Sequence, residues 1–258
     1  MINLKTKEEI EIMRAGGKIL ADVLFEVLKH VRVGVSELEL DQLAEKLILN
    51  KGGEPGFKKV EGYKHTICIS TNDVVVHGIP TEYKLKEGDV IGIDCGVYYK
   101  GFHTDMAQTL RVSTQNSKLK TQNYNKIDKF LQAGEKAMWK GIKAAKPGNR
   151  IGDISKAIQG VVEGQGYAVV RSLIGHGVGK ELHEDPEVPG FLDDPALETP
   201  LLKEGMTIAI EAIYNMGKSD VVYSGNDGWT IKSKDGSLSG LFERTIAITR
   251  QEPIILTK

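Results

Sequence analysis

Two acidic residues, Asp94 and Glu211, sit inside strongly apolar runs, Val90-Ile91-Gly92-Ile93-Asp94-Cys95-Gly96-Val97 and Met206-Thr207-Ile208-Ala209-Ile210-Glu211-Ala212. An unpaired charge in a buried strand is expensive, so each carboxylate needs a partner that offsets its desolvation. With a strand's period of two, Ile91, Ile93, Cys95 and Val97 share one face, while Asp94 shares the other with Gly92 and Gly96. Around Glu211 the apolar face repeats as Met206, Ile208, Ile210 and Ala212, opposite Thr207 and Ala209. Small neighbours beside a buried acid predict a cavity rather than a packed layer. A hairpin turn over 97–101, centred between Tyr99 and Lys100, sets Asp105 directly opposite Asp94, at about 4.5–5.5 Å between Cβ atoms. Carboxylates that close repel unless something positive lies between them. Glu243, in Leu241-Phe242-Glu243-Arg244-Thr245, answers Asp105 later in the chain, and His176 lies on the turn Gly175-His176-Gly177. Four carboxylates and a neutral imidazole balance a pair of divalent cations, as in hydrolases that hold two ions about 3.5–4 Å apart over a shared water. Mostly oxygen donors with one imidazole favour Mn²⁺, Fe²⁺ or Co²⁺, and Zn²⁺ is also admissible. Taken singly, each acid would more often be a solvated surface charge; their shared apolar setting makes the constellation specific. His77 and His183 carry little meaning alone, and Cys68 and Cys95 read as buried apolar fillers.

The elements around these residues form a repeat. Leu85-Lys86-Glu87-Gly88-Asp89-Val90-Ile91-Gly92-Ile93-Asp94 aligns with Leu202-Lys203-Glu204-Gly205-Met206-Thr207-Ile208-Ala209-Ile210-Glu211, every position 117 residues apart. Ala15-Gly16-Gly17-Lys18 returns as Ala133-Gly134-Glu135-Lys136, and His77-Gly78-Ile79 finds a counterpart in His176-Gly177-Val178. Thr6 and Glu9 fit a capping box before a helix with apolar residues at helical spacing, and a second helix is expected over 37–49. Two more helices are expected over 127–143 and 151–165, with β-branched strand runs following each helical pair. The chain therefore reads as α+β: one domain over 1–258, with one half at 1–112, a polar connector at 113–125 and a second half at 126–258. The two pseudo-symmetric halves surround a central, mostly antiparallel sheet.

Composition narrows the function classes. The 258 residues carry 34 Lys and Arg against 35 Asp and Glu, a net charge of −1, unlike a dedicated nucleic-acid binder. No apolar run approaches the roughly 18 residues of a membrane span. The N-terminus lacks the apolar core of a secretory signal, and the two cysteines lack a C-x-x-C spacing, which suggests a reducing, cytoplasmic compartment.

On its motifs the chain resembles the type I methionine aminopeptidases of the bacterial sort, with the pita-bread fold of the creatinase and aminopeptidase superfamily. The resemblance spans essentially the whole chain. Its most specific stretches are Asn72–Pro80, Ile93–Asp105, Gly175–Pro186 and Asn226–Thr245. It implies a metal-dependent hydrolase that removes the N-terminal methionine of nascent chains and peptides, with a preference for a small second residue. Two divalent ions would be held by Asp94, Asp105, His176, Glu211 and Glu243, with Asp105 and Glu243 bridging. Glu211 would act as general base, His183 would steady the scissile carbonyl, and His77 would flank the substrate. Phe57, Tyr63, Cys68, His77, Leu182, His183 and Trp229 would line the substrate pocket. The chain departs from the family's usual pattern at Ala212, Leu241 and Arg244, where Pro, Gln and His are common. It departs again at Lys64-His65 and at Leu182, where an aromatic is common. None of these removes a ligand. The resemblance also implies a monomer and a ribosome contact near the exit tunnel. The rival readings are a proline-directed peptidase on the same fold, whose members usually carry an extra N-terminal domain, and a ribosome- or RNA-associated binding protein with a silent site.

Overall fold

The computed structural model describes residues 2–113, 122–194, 198–225 and 227–258. In chain order its elements are α1 (Lys7–His30), α2 (Glu37–Asn50), β1 (Glu54–Pro55), β2 (Ile67–Thr71), β3 (Val74–Val76), β4 (Val90–Tyr99) and β5 (Phe102–Arg111). Then follow α3 (Gln122–Ala144), α4 (Ile151–Gly164), β6 (Ala168–Val169), β7 (Gly175–Gly177), β8 (Glu184–Val188), β9 (Thr207–Asn215), β10 (Val221–Tyr223), β11 (Ile231–Ser233), β12 (Ser239–Ala247) and β13 (Ile254–Ile255). Most of the polar connector expected at 113–125 lies outside the described residues.

The helices start where the side chains can close them. Thr6 and Glu9 form the reciprocal capping box at α1, and Ser36 with Glu39 forms another at α2, each satisfying amides that a helix end leaves free. α3 begins ahead of the expected 127, because its first turn is polar and shows no apolar spacing in the sequence. Ile91, Ile93, Cys95 and Val97 of β4 pack under Leu20, Val23, Leu24 and Val27 of α1 and Leu40, Ala44 and Ile48 of α2. Ile208, Ile210 and Ala212 of β9 pack in the same manner under Phe130, Ala137 and Met138 of α3 and Ile154, Ile158 and Val162 of α4. Both helical pairs thus cover one face of their strands and leave Asp94 and Glu211 on the other.

β4 pairs antiparallel with β5 and β2, and β9 with β12, β7 and β6; β3, β11 and β10 form a separate three-stranded sheet. The β4–β5 register corrects the expected hairpin. Tyr99 pairs with Phe102, so the turn is Lys100-Gly101, and Asp94 faces Ala107 while Asp105 faces Gly96. Lys100 (φ 47°) and Gly101 (φ 93°) both take positive φ, the requirement of a two-residue turn that matches the twist of its strands. The two carboxylates remain on one face, two positions apart, instead of directly opposed.

Where the two half-sheets meet, at β5 and β12, threonine hydroxyls join the strands. Thr245 Oγ1 accepts the Asp105 N–H and donates to the Asp105 carbonyl, both at 2.8 Å. Thr109 Oγ1 likewise accepts the Leu241 N–H at 2.9 Å and donates to the Leu241 carbonyl at 2.7 Å. Thr109 thus corresponds to Thr245, and Asp105 to Leu241. Since Glu243 faces Glu211 as Ala107 faces Asp94, the positional counterpart of Glu243 is Ala107, not Asp105. The histidine match is corrected too. Ser70 pairs with Gly92 and His176 with Ala209, so Ser70 rather than His77 answers His176. Among the described residues, no helix is long and apolar enough to cross a membrane.

Candidate active site and metal centre

All the site residues expected from the sequence line one cavity of about 170 Å³. β4 and β5 supply Asp94 and Asp105, β9 and β12 supply Glu211 and Glu243, and β7 supplies His176. Glu211 and Glu243 are direct register partners. Ligand atoms of Asp105, His176 and Glu243 all lie within 4.8 Å of one another, and His176 Nε2 is 4.0 Å from Asp105 Oδ2.

The glycines beside Asp94 do more specific work than leaving space open. A Cβ on Gly96 would lie 2.7 Å from the Phe57 ring, so the missing side chain admits Phe57 to the cavity wall. A Cβ on Gly92 would meet Thr109 Oγ1 at 3.2 Å, so that glycine makes room for the threonine at the seam. His77 enters the cavity from a left-handed backbone (φ 55°) just after β3, a conformation that costs a non-glycine residue energy and concentrates at functional positions.

Burying four acids in one cavity raises their proton affinity. Burial pushes Asp94 up to about 7; burial and then the charge of Asp94 push Glu211 up to about 8. Burial, followed by neighbouring carboxylates, drives Asp105 and Glu243 well above the usual carboxylate range, with Arg244 opposing at Glu243. Among the described residues, Asp94 Oδ1 is buried with no hydrogen-bond partner. The imidazoles shift the other way: burial, then His183, lowers His77 and His176 to about 4, and burial lowers His183. His176 is therefore neutral. Its Nδ1 lies 2.8 Å from the Gly177 carbonyl, which can only accept, so Nδ1 carries the proton and Nε2 keeps its lone pair toward Asp105 and Glu243. Crowded carboxylates, an orphaned carboxylate oxygen and an imidazole lone pair are the donor set that divalent cations complete.

The remaining walls are apolar and form two separate clusters. One comprises Phe57, Tyr63, Cys68 and Leu182 with Val60 and Trp229 against it; the Tyr63 and Trp229 rings meet at 5.1 Å. Cys68 is a protonated thiol here, because burial raises it well above its ordinary value. Cys95, by contrast, lies in the helix-covered core. The other cluster includes Val76, Ile213 and Leu241, with Leu173 beside it, and all four line the cavity. Sequence reasoning did not place this second cluster. Its signal was the strand period: Ile213 lies two positions past Glu211 and Leu241 two before Glu243, on the faces that carry the acids.

Residues 11–250 match the model of metallopeptidase family M24. Over 257 residues the chain is 44% identical to the methionine aminopeptidase of Clostridium perfringens (strain 13 / Type A), covering 100% of this chain and 99% of that protein. The crystal structure of methionine aminopeptidase from Rickettsia prowazekii matches with a TM-score of 0.93 at 34% identity over 100% of both chains. The prolidase from Pyrococcus furiosus shares the fold more loosely, with a TM-score of 0.76 at 25% identity, and the chain covers 65% of it. With its buried carboxylates, its neutral His176 and these full-length likenesses, the chain belongs to metallopeptidase family M24, among the methionine aminopeptidases.

Proposed function

We propose that this cavity hydrolyses the first peptide bond of chains that begin with methionine, using two divalent ions held by Asp94, Asp105, His176, Glu211 and Glu243. The observation that carries this reading is the junction, in one cavity, of the acid–imidazole cluster with the pocket of Phe57, Tyr63, Cys68, Leu182 and Trp229. A flexible thioether fits a wall of aromatic rings and sulfur. The bound ions supply Lewis acidity and a water acidified toward neutral pH.

The protein's own groups do the rest. Glu211, ionised once the ions are bound, accepts the proton of the attacking water and passes it to the departing amine. His183 donates a hydrogen bond to the scissile carbonyl as its oxygen gains charge, and its ring stacks edge-on to His176 at 4.3 Å. His77, neutral and buried, contacts the peptide beside the bond being cut. The aliphatic cluster of Val76, Leu173, Ile213 and Leu241 faces the second residue, and its bulk supports a preference for a small one. Both halves of the chain contribute ligands, so residues 1–258 act as one catalytic domain. A cytoplasmic monomer that meets nascent chains near the ribosomal exit tunnel is the setting this substrate implies.

The test is a metal titration of stripped protein paired with mass spectrometry of a Met-Gly-peptide. The reading expects two ions per chain and loss of one methionine residue from the peptide only after reloading. Methionine loss from fully stripped protein would overturn it.

A further inference from the structure

Resting on the reading of the cavity as the place of methionine removal, we propose that the free edge of β10 receives the substrate's own chain, from about its sixth residue onward, as an added strand. β10 is the outer strand of the sheet β10–β11–β3, and among the described residues it pairs only with β11. Register links it to the cavity: Tyr223 faces Ile231, which in turn faces Val76. Val76 and Trp229, the latter two residues ahead of Ile231, both line the cavity. The row Val76–Ile231–Tyr223 therefore crosses the sheet at its cavity end.

The ladder fixes which backbone groups are free. Ser224 N–H donates to the Thr230 carbonyl at 2.7 Å and Lys234 N–H to the Asp220 carbonyl at 2.9 Å. In an antiparallel pair such bonds recur at every second residue, so Val222 turns its N–H and C=O toward Lys232 while those of Val221 and Tyr223 point outward. Two of its side chains are also uncovered, Val222 at 43% and Tyr223 at 71% exposure, while Val221 packs against the Val76 cluster. Exposed apolar edges are normally blunted with charge or proline, because they accept another strand; 221–223 carries neither. Strands lie about 4.8 Å apart, so a strand added beyond β10 stands roughly 14 Å from Val76, a gap that about four extended residues at about 3.3 Å each would span. Pairing through the main chain alone suits an enzyme whose substrates share only their first residue.

The experiment compares Met-Gly-Gly, too short to reach β10, with an eight-residue peptide of the same start, on wild-type protein and on Tyr223→Pro. Proline there removes an outward N–H that β11 does not use, a place where edge strands tolerate it. We expect the long peptide to have kcat/KM about tenfold above the short one, the worth of one or two net backbone hydrogen bonds. Tyr223→Pro should abolish that advantage and leave Met-Gly-Gly unchanged. Should Tyr223→Pro not fold, N-methylated peptides on wild-type protein decide: methylation at alternate residues from about the sixth should cost the advantage, and at the intervening ones should not. No length advantage, a uniform methylation effect, or equal slowing of both peptides by the variant would overturn the proposal. A dimer broken by Tyr223→Pro without any length effect would overturn it and give the edge to a second copy. If neither peptide released methionine, the reading of the cavity itself would fail instead.

Discussion

Replacing Lys5 by Met tests how the loop that carries His183 is held. The Lys5 ammonium pairs with the Glu184 carboxylate, and each side chain is only 5% exposed. The Lys5 ammonium also donates to the Asn3 carbonyl at 3.2 Å, while the Lys5 backbone N–H donates to Gly205 at 2.7 Å, just ahead of the strand bearing Glu211. A Cβ on Gly179 would come within 2.4 Å of Lys5 Cε and 2.6 Å of Glu184 Oε1, so the loop closes over the pair with no side chain to spare. Burial alone would raise the Glu184 carboxyl, yet the bonds from Lys5 and from the Glu181 N–H hold it below its ordinary value. Lys5→Met keeps the stem and deletes the charge, leaving the buried carboxylate without its cation and with the Glu181 N–H left to offset it. Breaking one side of a buried pair costs about 3–5 kcal/mol, or roughly 6–15 °C in Tm for a chain of this length. The exposed pair Lys29–Glu26 should show no comparable loss by the same comparison, because solvent screens it. Restoring an apolar match with Lys5→Met/Glu184→Leu should recover most of the loss. Thermal unfolding at pH 7.5 reads both variants, and kcat of the folded single variant should fall about tenfold as the His183 loop loses its brace. A Tm loss of under about 2 °C for Lys5→Met, or a double variant no better than the single one, would refute the reasoning.

Glu211→Gln keeps the size of the ligand but not its proton affinity, so kcat should drop by about 10² or more; metal content measured alongside tells lost chemistry from lost ions. His183→Ala should lower kcat about 10²–10³-fold with KM nearly unchanged, the pattern of a group that acts in the transition state. In the metal-free protein, Asp94 near 7 and Glu211 near 8 hold protons that the unfolded chain has already released, so the folded state binds more protons and stability falls as pH rises through that range. His77, His103 and His176, lowered to about 4, work in the opposite sense, but only below the ordinary histidine range near 6.5. The Tm of stripped protein should therefore fall between about pH 6.5 and 8.5, and Mn²⁺-loaded protein should lose much less.

The apolar faces of β4 and β9 were legible because a buried strand writes its packing into every second residue, and the acids stand out against that period. The repeat gave the two halves and the shared use of Asp94 and Glu211. Register was less legible. The hairpin's turn lies one position later than expected, which shifts its pairing by two residues, since its marker is a single glycine at Gly101 whose partner, Lys100, is no usual left-handed residue. Motif likeness likewise paired His77 with His176, although strand register assigns that place to Ser70. Contacts that join distant segments had no signal at all. Nothing in the sequence marks Lys5 and Glu184, 179 residues apart, as partners, nor Thr109 and Thr245 as the bonds across the seam. The Gly96 space was foreseen, but not that the Phe57 ring would fill it.

The most direct test of the account is a paired assay on stripped protein restored with Mn²⁺, Co²⁺ or Fe²⁺, comparing release of the first residue from a Met-Gly-peptide and from an Ala-Pro-peptide. The account predicts metal-dependent methionine release with little Ala-Pro cleavage. Preferential cleavage of Ala-Pro, or no turnover with two ions bound, would contradict it.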